Sequence, residues 1–302
     1  MDEFFPRALT VRVGDTVVWT STVYEVHDVV FYSNGPVPPF LVLSPTPSEG
    51  LIVNPVLAFP AAPAQPFLGG FAASPLLTAA TQASWNMTFG KAASYNYTCS
   101  VHYPGMQATL TVIDAASEIV LPSPKDVDAA AAKEIAALTK LGTATVAKLD
   151  KQAAKRKPKK NADGTHTHTV IVGAALPSID FVRFFPPKLA VGPKDTIVFQ
   201  WGHTNMAPHT VTFLNGEEPP ALIIPIAEPK SVPHLQLNPI ILVPSRGNLV
   251  DRTHFWNSGL VDPGVPLPNV TVVLDDVAEG PLPFLCILHY SSGMVGKLIV
   301  GK

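Results

Sequence analysis

Cys286-Ile287-Leu288-His289-Tyr290-Ser291-Ser292-Gly293-Met294, with the run Lys297-Leu298-Ile299-Val300 behind it, decides the fold of this chain. An earlier stretch repeats its order: Cys99-Ser100-Val101-His102-Tyr103-Pro104-Gly105-Met106, then Thr109-Leu110-Thr111-Val112. The agreement continues upstream of both. Phe4-Phe5-Pro6 matches Phe184-Phe185-Pro186, and Gly14-Asp15-Thr16-Val17-Val18 matches Lys194-Asp195-Thr196-Ile197-Val198. His27-Asp28-Val29-Val30-Phe31 matches His209-Thr210-Val211-Thr212-Phe213, and Asn34-Gly35 matches Asn215-Gly216. Two Pro-rich pieces follow suit, Pro38 to Val42 with Pro219 to Ile223, and Asn54 to Pro60 with Asn238 to Pro244. Matches in one order along both stretches mark an internal repeat. The expected organisation is residues 1–114 as one domain, 115–163 as a linker and 164–302 as a second copy.

Within each copy the runs are short, β-branched or alternating, and bounded by Gly, Pro, Asn and Asp, as in Val11-Arg12-Val13, Thr16 to Trp19 and Thr196 to Phe199. Such punctuation predicts an all-β sandwich or barrel, and the lack of helix–strand alternation argues against a parallel α/β sheet. With 47% hydrophobic residues the chain has enough apolar material for two cores, which excludes a disordered protein. No apolar run approaches the ~20 residues of a membrane span. A net charge of −2 argues against nucleic-acid binding.

The charge is concentrated in the middle. Residues 114–163 hold ten Lys or Arg against seven Asp or Glu, whereas the flanking segments are net acidic. From Asp126 to Arg156 there is no Pro, Ala dominates, and Val127, Ala131, Ile135, Leu138, Val146 and Leu149 recur at helical spacing. This predicts a helical linker, bent or interrupted at Gly142, with a frayed basic end. The linker reads as a solvated spacer; the sharper alternative is a contact surface for an acidic partner or an anionic surface.

Two cysteines in 302 residues do not make a disulfide scaffold. The repeat places one at the same point in each copy, with a His three residues later, a Met beyond it and a His far upstream. The sets are His27, Cys99, His102 and Met106, and His209, Cys286, His289 and Met294. Two imidazoles and a thiolate with a weak axial thioether make a type 1 copper site, in which soft sulfur suits Cu(I) and imidazole suits Cu(II). Both halves resemble the cupredoxin family, in particular its plastocyanin/amicyanin-like branch. The resemblance rests on the Gly-Asp-Thr-Val start of a strand, the Pro208-His209-Thr210-Val211 segment and the closing C-x2-H…M loop. It implies two Greek-key β-sandwiches joined by the partly helical linker, one copper per domain, and His102 or His289 near the surface as the port where a redox partner docks. The loop Cys99 to Met106 is one residue shorter than Cys286 to Met294, and Asp28 replaces Thr210. A carboxylate there would favour Cu(II), giving the first site the lower potential. The Pro-rich inserts at 36–66 and 217–246 are expected to cap the copper ends.

The expected function is therefore an electron carrier rather than an enzyme. Copper storage or delivery is the alternative, and a two-domain copper oxidase or nitrite reductase a lesser one, because Thr98 and Leu285 rather than His precede the cysteines. His166-Thr167-His168 could share one face of a strand but has no second H-x-H to pair with, and reads as non-functional; His203, His234 and His254 read as surface or hydrogen-bonded groups. Met1-Asp2-Glu3-Phe4 lacks the basic start and apolar run of a signal peptide. The resemblance nonetheless implies an extracytoplasmic location, with an export signal missing from this sequence.

Overall fold

A computed structural model describes residues 1–302 apart from 33, 34, 81, 203–206, 228–232, 262–268 and 302; His203 and Asn34 lie outside the described residues. The chain forms two compact units, residues 1–140 with 225–236, and residues 141–224 with 237–302.

Alternating side chains make the layers of the first unit. In Thr16–Thr20, Val17 and Trp19 are buried while Thr16, Val18 and Thr20 face out. In Gln107–Ile113, Ala108, Leu110 and Val112 are the buried set. A five-stranded sheet runs in the order Ala8–Arg12, Gln107–Ile113, Ala93–Thr98, Val30–Phe31, Ala72–Ala73; its first pair is parallel and the rest antiparallel. The pair Thr16–Thr20 and Ser84–Thr88 supplies Val17, Trp19 and Met87 to the core they share with Phe31, Tyr97 and Leu110. Trp19 packs edge-on to Phe31 and Tyr97 at 5.7 and 5.6 Å between ring centroids, a favoured aromatic geometry. Leu57 of the short helix Pro55–Ala58 packs with Val30, Ala73 and Phe40. Residues 225–236 contribute Gln236, which pairs with Ile52 and donates to the Glu49 carbonyl at 2.6 Å.

In the second unit a five-stranded sheet runs in the order Lys188–Val191, Val295–Val300, Gly280–Leu285, Thr212–Phe213, Trp256–Asn257. Again the first pair is parallel, and the strand leading to the Cys pairs antiparallel with the strand leaving the Met. Phe284 stands opposite Gly296, and a Cβ at Gly296 would overlap its ring. The facing sheet is built on His166–Leu176, Thr196–Trp201 and Val270–Leu274, with Ile179–Phe185 folding back on His166–Leu176. Ile241 of the short helix Pro239–Leu242 packs on Leu285 and Ile287, the neighbours of Cys286. Both proportions and pairing are those of an all-β, sandwich-like fold.

The linker helix spans Pro124–Lys155 and begins at Ser123, whose hydroxyl donates to Asp126 Oδ2 at 2.6 Å and accepts from its N–H at 3.3 Å. Two expectations are corrected. Gly142 does not interrupt the helix: it lies against Phe181 and Ile179, so the glycine sits at a packing contact. The basic end does not simply fray, because Lys159–Lys160 pairs antiparallel with Thr167 and His166. Within the second unit Arg183 also holds Asp150 at 3.1 Å and Ala153 is buried, so one face of this half of the helix is packed. Among the described residues no helix is long and apolar enough to cross a membrane.

Candidate metal centres

Each early His is fixed by a two-hydrogen-bond bridge outside the regular strands. His27 exchanges bonds with Leu77 at 3.0 and 2.7 Å, and His209 with Val261 at 3.1 and 3.0 Å. Each Cys begins a loop that folds back on itself. In the first unit Cys99 N–H donates to the Met106 carbonyl at 3.1 Å and Met106 N–H to the His102 carbonyl at 3.0 Å. In the second, Cys286 N–H donates to Met294 at 3.1 Å and Met294 N–H to His289 at 3.0 Å. The missing residue of the first loop is therefore taken up between these closures: the longer loop makes a 3-10 turn at Tyr290–Ser292 and turns at Gly293, φ 89°. Met106 and Met294 are both buried, in the same cores as Cys99 and Cys286.

The loops bring the donors together. His27, Cys99 and His102 form one group and His209, Cys286 and His289 another, with ligand atoms within 4.8 Å of one another. In the second unit Cys286 Sγ lies 3.8 Å from His209 Nδ1 and 3.5 Å from His289 Nδ1, and the two nitrogens are 3.1 Å apart. A point equidistant from these three atoms is about 2 Å from each, the length of a metal–imidazole bond. The first unit has the same spacing, Cys99 Sγ to His27 Nδ1 at 3.8 Å and to His102 Nδ1 at 3.4 Å. Both imidazoles use Nδ1 in both units. The donor set and its size fit a thiophilic, imidazole-binding metal such as copper.

Burial and neighbouring charges shift Cys99, Cys286, His27 and His102. Burial pushes both thiols up, so neither Cys99 nor Cys286 is an easy thiolate until a cation displaces its proton. Burial, aided by the charge on His102, lowers His27 to about 4, so its ring is a neutral ligand. Burial would also lower His102, but hydrogen bonds to Cys99 and Glu25, with the charges of Cys99 and Asp2, outweigh it and raise the ring.

The residue after each early His clamps the residue after each Cys. Ser100 N–H donates to Asp28 Oδ1 at 2.6 Å and its hydroxyl to Asp28 Oδ2; Ile287 N–H donates to Thr210 Oγ1 at 2.9 Å. Thr210 N–H further donates to Cys286 Sγ at 3.3 Å. Asp28 and Thr210 thus do the same mechanical work with different charge, a role their sequence position alone did not reveal. Burial raises Asp28 against the lowering effect of Ser100.

The two expected ports differ: the His102 side chain is 11% exposed, whereas His289 is buried at 8%, against the expectation of a surface position. Sequence reasoning missed Glu25 and Asp2, which crowd His102. The available signal was the repeat itself, which sets Glu25 opposite Ala207.

The other described histidines are held by carboxylates. His168 Nε2 lies 2.8 Å from Asp195 Oδ2, and His166 Nδ1 is 3.8 Å from Oδ1. The same carboxylate accepts the N–H groups of His166 and Gly192, both at 2.7 Å, so the H-x-H pair is tied into the strand start. His234 meets Glu49 at 2.8 Å and His254 meets Asp251 at 2.7 Å.

No family model matches the chain. No curated protein matches it either. Among solved structures it is similar to a reduced mutant of amicyanin, 20% identical over 37% of this chain and 73% of that one, with a TM-score of 0.23. A Cu(I) mutant of amicyanin gives 22% identity, the same coverages and a TM-score of 0.23. An oxidized amicyanin mutant gives 18%, 37% and 75%, with a TM-score of 0.24.

Proposed function

We propose that the chain is a tandem cupredoxin-type protein that carries single electrons, with one type 1 copper in residues 1–114 and one in 164–302. The observation that supports this most is the pair of buried Nδ1/Nδ1/Sγ triangles of metal-holding size. Copper supplies a one-electron couple when bound. The protein supplies the rest: His27, Cys99 and His102, and likewise His209, Cys286 and His289, would hold the ion, with Met106 and Met294 as the axial thioethers. Bridged histidines and closed loops keep the donors where both oxidation states can use them, so little rearrangement accompanies electron transfer. The core on one side, and Ile241 of the insert packed with Leu285 and Ile287 beside Cys286, keep Cys286 fully buried.

Burial also favours carriage over delivery. Cys99 and Cys286 are fully buried, whereas handing copper to a partner needs a reachable thiolate. An oxidase would need further copper ligands, and His166 and His168 are engaged with Asp195 instead. The redox partner is proposed to dock beside His102 or His289, and the protein to work outside the cytoplasm. Copper titration of the wild type, Cys99→Ala and Cys286→Ala tests the reading. The expected binding is two, one and one equivalents that exchange slowly with a chelator. Three or more coppers per chain would support the oxidase, and rapid exchange would support delivery.

A further inference from the structure

His102 turns its second nitrogen toward acid. Its Nδ1 faces Cys99, while Nε2 lies 3.5 Å from Glu25 Oε1. Asp2, Glu25 and His102 each bring one ligand atom within 4.8 Å of the others. Asp2 has no part in holding copper, yet its side chain is only 4% exposed. Its Oδ1 is 3.7 Å from the Met1 amine, and its buried Oδ2 has no hydrogen-bond partner among the described residues. Leaving a carboxylate oxygen buried and unmatched is costly unless a cation sits against it.

The second copy shows that this acid is not a requirement of the fold. Counting from the matched Phe-Phe-Pro and His positions, Asp2 corresponds to Val182 and Glu25 to Ala207. Ala207 is buried and Val182 packs against the core of its unit. The carboxylates belong to the first centre alone.

We propose that Asp2, Glu25 and Nε2 of His102 form a second cation site for a divalent ion of the zinc class, so that His102 bridges it to copper. Two carboxylate oxygens and one imidazole, with a fourth position left open, are a zinc-type donor set. Magnesium and calcium prefer all-oxygen shells, and Cu(I) prefers sulfur. The ion replaces the Nε2 proton, which leaves to solvent, and offsets both carboxylates. Glu25, with its side chain 23% exposed, gives the ion a way in.

Only the bridge rests on the copper reading; the three-ligand site does not. The test is to load the full chain anaerobically with two equivalents of Cu(I), add Zn²⁺, remove unbound metal by gel filtration and count both metals. One zinc per chain is expected in the wild type, and none in Asp2→Asn/Glu25→Gln with copper unchanged. No zinc in the wild type, or zinc retained in the double variant, overturns the proposal. Copper below two per chain counts against the preceding reading, while the zinc difference between the two proteins still decides this one. As a second readout, zinc should shift the visible spectrum of oxidised Cys286→Ala, which keeps the first centre, and leave that of Cys99→Ala unmoved; the same response in both would contradict the site.

Discussion

At the scale of the residue, the two His/Cys/His groups have the same donors in surroundings of different charge. Cys99 and Cys286 are both fully buried and burial raises both thiols, so the contrast lies in what surrounds them. The first has Asp28, Glu25 and Asp2 close by; at the matching places the second has Thr210, Ala207 and Val182. Negative charge near copper stabilises the more positive oxidation state. The midpoint potential of Cys286→Ala, which keeps the first centre, is therefore expected below that of Cys99→Ala, and equal values in voltammetry would refute the asymmetry. The two His/Cys/His groups were legible because Cys and His are rare here and recur at matched spacing. Asp2 and Glu25 were not, since nothing in their spacing ties them to His102; only the chain's path brings them together.

At the scale of the element, what a glycine or carboxylate does depends on its neighbours. Gly142 and Gly296 show this in opposite directions. A Cβ at Gly142 would meet Phe181 at 3.7 Å and Ile179 at 3.8 Å, ordinary contact, and the residue is mid-helix. Gly142→Ala should therefore stabilise by about 0.5–1 kcal/mol, seen as a raised Tm. At Gly296 the Cβ would enter the buried ring of Phe284, so Gly296→Ala should cost about 1–3 kcal/mol in urea unfolding. Asp195 accepts three hydrogen bonds, from His166, Gly192 and His168. Burial alone would raise its carboxyl, but these bonds outweigh burial and hold it below the ordinary range. A carboxyl depressed on folding contributes stability above its unfolded value, about 3.9, and loses it as pH falls through the folded value. Wild type should thus lose more stability than Asp195→Asn between pH 5 and pH 2, and parallel losses would contradict the assignment. The alternating strands and the Ala-rich helix were legible from period alone. Val30–Phe31 and Ala72–Ala73, two residues each, carry too little pattern and exist only as partners of Ala93–Thr98 and of one another. Gly142 misled because its value lies in Phe181 and Ile179, distant in sequence.

At the scale of the whole molecule, the chain divides into two units, and in each the Cys-bearing sheet has one parallel pair at its edge followed by antiparallel pairs. Residues 115–140 and 225–236 fall with the first unit and 141–163 with the second. Composition could not show this, since the helix is uniform in character from Pro124 to Lys155 while its contacts change along its length. The most direct test is the visible and EPR spectrum of the wild type loaded with Cu(II). The expected result is an intense thiolate-to-copper charge-transfer band that saturates at two coppers per chain; a colourless protein holding the same copper would contradict the account.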